Sequence, residues 1–171
     1  EGNKAGMIDL FGDLMQSGTS LKSKAELDEA VDFIGASLSA SAKGIRGSSL
    51  TKHTDEFLSL MAEVILSPSF PESEWERLRT QALSGLLASE SSPSDISDAL
   101  TRTINFTNNH PYGEITTAET LGSITPEDFQ DYHSTYFHPN NAYLVVVGDI
   151  DSSTAFEKAN TYFGNWKRAD I

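Results

Sequence analysis

The sequence of 171 residues predicts an α/β lobe in which several helices lie on a sheet. Three observations carry that expectation. Apolar residues recur at three- and four-residue steps through most of the chain. Capping residues, glycines and prolines punctuate these stretches as helix starts and stops. One unbroken run rich in β-branched residues, Tyr143 to Val147, reads as a strand. No short repeat appears and no interior linker is long enough to divide the chain, so residues 1–171 form one lobe.

The first helix carries Met7, Leu10, Phe11, Leu14 and Met15 on one stripe, with Gly18 as its stop. Ser23 and Glu26 form a capping box that opens a second helix. Leu27, Ala30, Val31 and Ile34 give that helix its apolar face, and Gly35 ends it. The period then changes to two: Leu38, Ala40 and Ala42 alternate with serines, Lys43-Gly44 offers a turn, and Ser48 to Lys52 return antiparallel. Thr54 caps a third helix bearing Phe57, Met61, Val64 and Ile65, which stops before Pro68.

Pro71 suits the first turn of a long fourth helix, with Glu72 and Glu74 near its positive end. Trp75, Leu78, Ala82 and Leu86 line one side of it. After "SESSPSD" comes a helix with Ile96, Leu100 and Ile104 spaced at four, then a loop, "NNHPYGE". Thr116 to Glu119 and Thr125 to Asp128 fit capping boxes, and Phe129, Tyr132 and Tyr136 extend the second of these helices. The run from Tyr143 to Val147 predicts a strand buried on both faces. Asp151 or Ser152 caps a last helix with Phe156, Ala159 and Phe163.

Composition narrows the function. Apolar residues make up 38% of the chain, enough for a core. Lys and Arg total 12 against 25 Asp and Glu, a net charge of -13, which argues against nucleic acid or anionic membranes as partners. Without cysteine there are no disulfides, thiolate zinc ligands or thiol nucleophiles. No apolar run approaches the ~20 residues of a membrane span. The chain opens at Glu1 without a methionine, as expected of a piece of a longer protein, and its composition fits cytosol and periplasm alike, with the periplasm the favoured expectation.

Five segments in order resemble the insulinase/pitrilysin family of zinc peptidases. They are "LMQSGTSLKS" with "ELDEAVDFIGASLSASA", then "SPSFPESEWERLR", "HPYG", "ITPEDFQDYHSTYFHPNNAYLVVVGDID" and "FGNWKR". The resemblance implies an α+β half-domain of the processing-peptidase type, with an open, mostly antiparallel or mixed sheet and helices packed on one face. It also implies that flanking strands lie beyond both ends of this chain.

Active members of that family carry an inverted H-x-x-E-H motif on the first helix. The two histidines bind Zn²⁺ from one face, the glutamate between them serves as base, and a later glutamate completes the ligands. Anchored on Gly18-Thr19, the motif lies over "DLFGD": Asp9 and Asp13 stand at the histidine positions and Gly12 at the base. Anchored on Glu76-Arg77, the distant ligand falls near Leu83, and nothing from Gln81 to Leu87 is acidic. Asp9 and Asp13 could begin a site for a harder cation, line a vestigial cleft, or sit solvated on a structural helix; the last is the expectation. No metal or catalytic residue is therefore expected in this chain.

Other chemistry is absent from the motifs. His133 and His138 are five apart, His110 lies in the "HPYG" loop and His53 follows the hairpin, so no pair has ligand spacing. No G-x-S-x-G elbow and no phosphate-cradling glycine loop occurs. The resemblance implies a non-catalytic half that pairs with a homologous zinc-bearing domain or subunit around an extended peptide substrate. Zinc is expected in that partner, and an Arg–Tyr pair that aids catalysis is expected beyond Ile171. The alternatives are an active metallopeptidase with an atypical site and a purely structural assembly subunit.

Overall fold

A computed structural model describes residues 2–107 and 110–171. Glu1, and Asn108 and Asn109 of the predicted "NNHPYGE" loop, lie outside the described residues. In chain order the elements are α1 (Met7–Met15), α2 (Lys24–Phe33), β1 (Ser37–Ser41), β2 (Gly44–Ser48), α3 (Thr54–Leu66), α4 (Glu72–Ser89), α5 (Pro93–Phe106), α6 (Ala118–Ser123), α7 (Pro126–Tyr136) and α8 (Ser152–Phe163). The mixed α/β class holds, with helices dominating.

Local chemistry sets most boundaries. Ser23 caps α2 reciprocally: the Glu26 N–H donates to Ser23 Oγ at 3.4 Å, and the Ser23 N–H donates to Glu26 Oε2 at 2.9 Å. Gly35 then adopts φ of 60°, the left-handed turn that ends such a helix without a Cβ penalty. At α7 the Thr125 N–H donates to Asp128 Oδ2 at 2.8 Å, and at α8 the Thr154 N–H donates to Asp151 Oδ1 at 2.9 Å. The α6 box forms one residue later than expected, between Thr117 and Thr120. Thr54 lies inside α3 rather than capping it, its hydroxyl donating to Thr51 O at the end of a short 3-10 turn.

The core is organised around Phe11, which is fully buried. Its ring lies 4.8 Å from Tyr132, 5.3 Å from Phe137, 5.7 Å from Phe70 and 6.2 Å from Phe129. Trp75 of α4 reaches the same group through Phe129 at 5.1 Å. Tilted and edge contacts of this kind add to burial, and here they join α1, α4 and α7. The α1 stripe is therefore core along its length, although the helix ends at Met15, before Gly18.

Two strand expectations change. The hairpin is tighter than predicted: β2 begins at Gly44, paired with Ser41, and Ala40 opposes Ile45. A two-residue connection at Ala42 and Lys43 turns the chain straight back, so the return is over before Lys52. Tyr143 to Val147 joins no ladder among the described residues, where the only sheet is β1–β2. Instead of being buried on both faces, Tyr143, Val145 and Val147 are 98%, 79% and 92% exposed. A strand is buried by its neighbours, and none of the described residues supplies one.

Two helices also show more apolar surface than expected. The α5 stripe of Ile96, Leu100 and Ile104 is exposed, as is Phe156 of α8. Polar ties hold α8 in place: Lys158 Nζ lies 2.6 Å from Asp55 Oδ1, and the Tyr162 hydroxyl donates to the same oxygen at 3.0 Å. The C-terminal segment is fastened to the end of α7 by Trp166 Nε1 donating to Phe137 O at 3.0 Å and Asn140 Nδ2 donating to Ala169 O at 2.9 Å.

Phe11→Ala removes the centre of the aromatic group and is expected to cost about 3–5 kcal/mol, against about 1 kcal/mol for Ser23→Ala at its cap. Urea unfolding checks this as two lowered midpoints with an unchanged slope.

Candidate functional site

Helix α1 places Asp9 and Asp13 one turn apart on one face, both exposed. Asp9 stands in the first turn, where a carboxylate is favoured by the helix dipole. Gly12 is buried against the hairpin. A β-carbon built on Gly12 would lie 2.2 Å from Ala40 O, 2.6 Å from Ala40 C and 2.7 Å from Ser41 Cα. Those are backbone atoms of β1, which cannot swing aside as a flexible side chain would. Leu83 on α4 is partly buried and packs against the core.

The donor chemistry of these positions does not fit zinc, which takes four nitrogen, sulfur or oxygen ligands. Two of the four positions, Gly12 and Leu83, offer no donor, and the two carboxylates are on the solvent side. Among the described residues no three His, Cys, Asp or Glu side chains gather as a metal site. Sequence reasoning missed the closure of β1 over Gly12. The available signal was the glycine itself: in a helix interior it costs roughly 1 kcal/mol against alanine, and close packing is a common reason for one there.

The histidines hold the fold. His133 Nε2 lies 2.8 Å from Ile65 O, and its ring stacks on Phe137 at 4.9 Å and meets Phe70 edge-on at 5.9 Å. Burial lowers its pKa below the ordinary histidine value, the Ile65 carbonyl opposes this, and His138 adds to it. His138 bridges Ser134 O at 2.7 Å and Lys167 O at 3.1 Å. His110 stacks on Phe106 at 5.4 Å and its Nδ1 accepts from the Tyr112 N–H at 3.2 Å, which gives the "HPYG" turn its shape. His53 Nδ1 stands 3.9 Å from Glu56 Oε1.

The first helix of this mixed α/β lobe thus carries two exposed carboxylates and a buried glycine, with no metal-holding group of three side chains among the described residues. Residues 123–170 match the family profile of the peptidase M16 inactive domain. An uncharacterized zinc protease, YmxG of Bacillus subtilis, is 25% identical over 155 residues, covering 88% of this chain and 38% of that protein. The crystal structure of a peptidase M16 inactive domain from Pseudomonas fluorescens superposes with a TM-score of 0.80 at 21% identity, covering 99% of this chain and 45% of the other. The periplasmic protease PqqL from Escherichia coli superposes with a TM-score of 0.76 at 18% identity, covering all of this chain and 21% of that one. The chain thus spans well under half the length of these proteins.

The resemblance drawn from the five segments is borne out. The family model for the peptidase M16 inactive domain, the zinc protease relatives and the M16 structures together support an inactive domain of the insulinase/pitrilysin type.

Gly12→Ala is expected to destabilise the protein by about 1–3 kcal/mol, whereas Asp9→Asn and Asp13→Asn should change stability by no more than about 0.5 kcal/mol. Thermal melts of the three variants check this. The depressed pKa of His133 also has a sign. Unfolded, the ring takes its proton near pH ~6.5, while the folded ring refuses it until lower pH, so stability falls as pH drops below about 6.5. His133→Gln should remove part of that fall, read as a shallower loss of urea midpoint between about pH 7 and about pH 5.

Proposed function

We propose that this domain is a non-catalytic half of an insulinase-like zinc peptidase. It forms part of the wall of a peptide-holding chamber, and a homologous zinc-bearing domain or subunit performs the hydrolysis. The single observation that carries the reading is the state of α1. The metallopeptidase fold is retained around it, yet the base position is a glycine pressed on the β1 backbone, with Ala40 O 2.2 Å from where a β-carbon would stand. A chain selected for catalysis needs a carboxylate there to activate water, whereas a chain selected for shape does not.

Two further readings accompany this one. The exposed apolar run from Tyr143 to Val147 supports a lobe that is the inner part of a longer domain, with flanking strands outside residues 1–171. Such strands would pair with the run and take its side chains out of water. A periplasmic site of action is supported by the likeness to PqqL, itself a periplasmic protease. No helix among the described residues is long and apolar enough to cross a membrane.

The test is reconstitution. The full-length protein is purified alone and with a homologous subunit or domain bearing an intact H-x-x-E-H motif, and hydrolysis of an unstructured peptide is followed. The expected outcome is hydrolysis only when both halves are present, with zinc retained by the partner after dialysis. Hydrolysis by a protein in which this is the only peptidase-family domain, or zinc in equimolar amount on it, contradicts the proposal. Recovery solely of non-peptidase subunits with the native protein would favour a structural assembly role instead.

A further inference from the structure

A groove of about 490 Å³ runs between α2 and the first half of α3. Its floor is apolar: Ala30 is partly buried, and Ile34 and Leu60 belong to the core. At its edge Phe33 is 87% exposed, which extends the apolar floor out to the surface. The rim carries Glu26, Glu29 and Glu56 beside the neutral Ser59, with no Lys or Arg among the lining residues. The nearest lysine on α2, Lys24, is held by Asp28 at 2.7 Å. Glu26 is held ionised by hydrogen bonds, chiefly from the Ser23 hydroxyl, which lower its pKa.

We infer that this groove docks a polypeptide segment carrying an apolar side chain flanked by arginine or lysine. The apolar floor and Phe33 would take the apolar side chain, and burial of a leucine-sized group supplies the directionless part of the affinity. The carboxylates decide the occupant. An acidic segment meets like charge at Glu26, Glu29 and Glu56, while a basic one meets complementary charge on both walls. Exposed pairs of this kind add little affinity each but raise the encounter rate, and added salt weakens them. The inference stands on the groove alone and does not need the zinc-bearing half.

The probe is a fluorescein-labelled peptide of alternating leucine and arginine, titrated against the full-length protein by fluorescence polarisation. A second peptide of the same charge with serine in place of leucine is the control. The expected result is that Phe33→Ser, and separately Glu29→Lys with Glu56→Lys, each weaken binding by at least about tenfold, and that the serine peptide binds at least about tenfold more weakly. Equal binding of both peptides, binding unchanged by the variants, or no binding of the leucine peptide overturns it. Photo-crosslinking from a diazirine leucine to unmutated protein gives a readout that does not depend on any variant folding. Crosslinks on α2 and α3 support the groove, and crosslinks confined to other elements overturn it.

Discussion

Helix α1 lies so close to β1 that residue 12 has no room for a side chain. That contact is the constraint on which the rest depends. Phe11 and Leu14, on either side of the glycine, are fully buried, so the helix cannot roll away from the hairpin without emptying the core. The Tyr132 hydroxyl, donating to Ala42 O at 3.2 Å, fastens the turn of the same hairpin from α7. The hairpin is therefore held from both sides against the helix face on which a metallopeptidase would carry its base.

Nearby polar groups strengthen the same corner. Thr19 is buried just after α1 and its hydroxyl donates to Glu63 of α3, while accepting from the Lys22 N–H at 2.9 Å. Lys22 Nζ lies 2.6 Å from the other oxygen of Glu63. Gly18 and Thr19 resemble the family segment that follows the first helix, and here that turn ties α1 to α3 through Glu63.

Much of the fold was legible because helix signals are local. The Ser23–Glu26 and Thr125–Asp128 boxes, Gly35 as a stop and Asp151 as a cap each depend on residues within four positions, and each stands as read. The misreadings concern contacts made at a distance. Tyr143 to Val147 reads as doubly buried because its composition is that of a central strand, but burial depends on neighbours that the described residues do not supply. The α5 stripe fails in the same way. At the site, the residue types at Asp9, Gly12, Asp13 and Leu83 were legible, whereas the approach of β1 to Gly12 is a tertiary fact with only a mid-helix glycine to announce it.

The central claim is that residue 12 cannot carry a carboxylate without disturbing the packing of α1 on β1. The most direct measurement compares two variants of the full-length protein for melting temperature and peptide hydrolysis in zinc. One carries Asp9→His, Asp13→His and Leu83→Glu; the other adds Gly12→Glu. The account predicts that adding Gly12→Glu lowers the melting temperature well below that of the first variant and yields no hydrolysis. A four-substitution protein as stable as the three-substitution one, and able to cleave peptide, would contradict it.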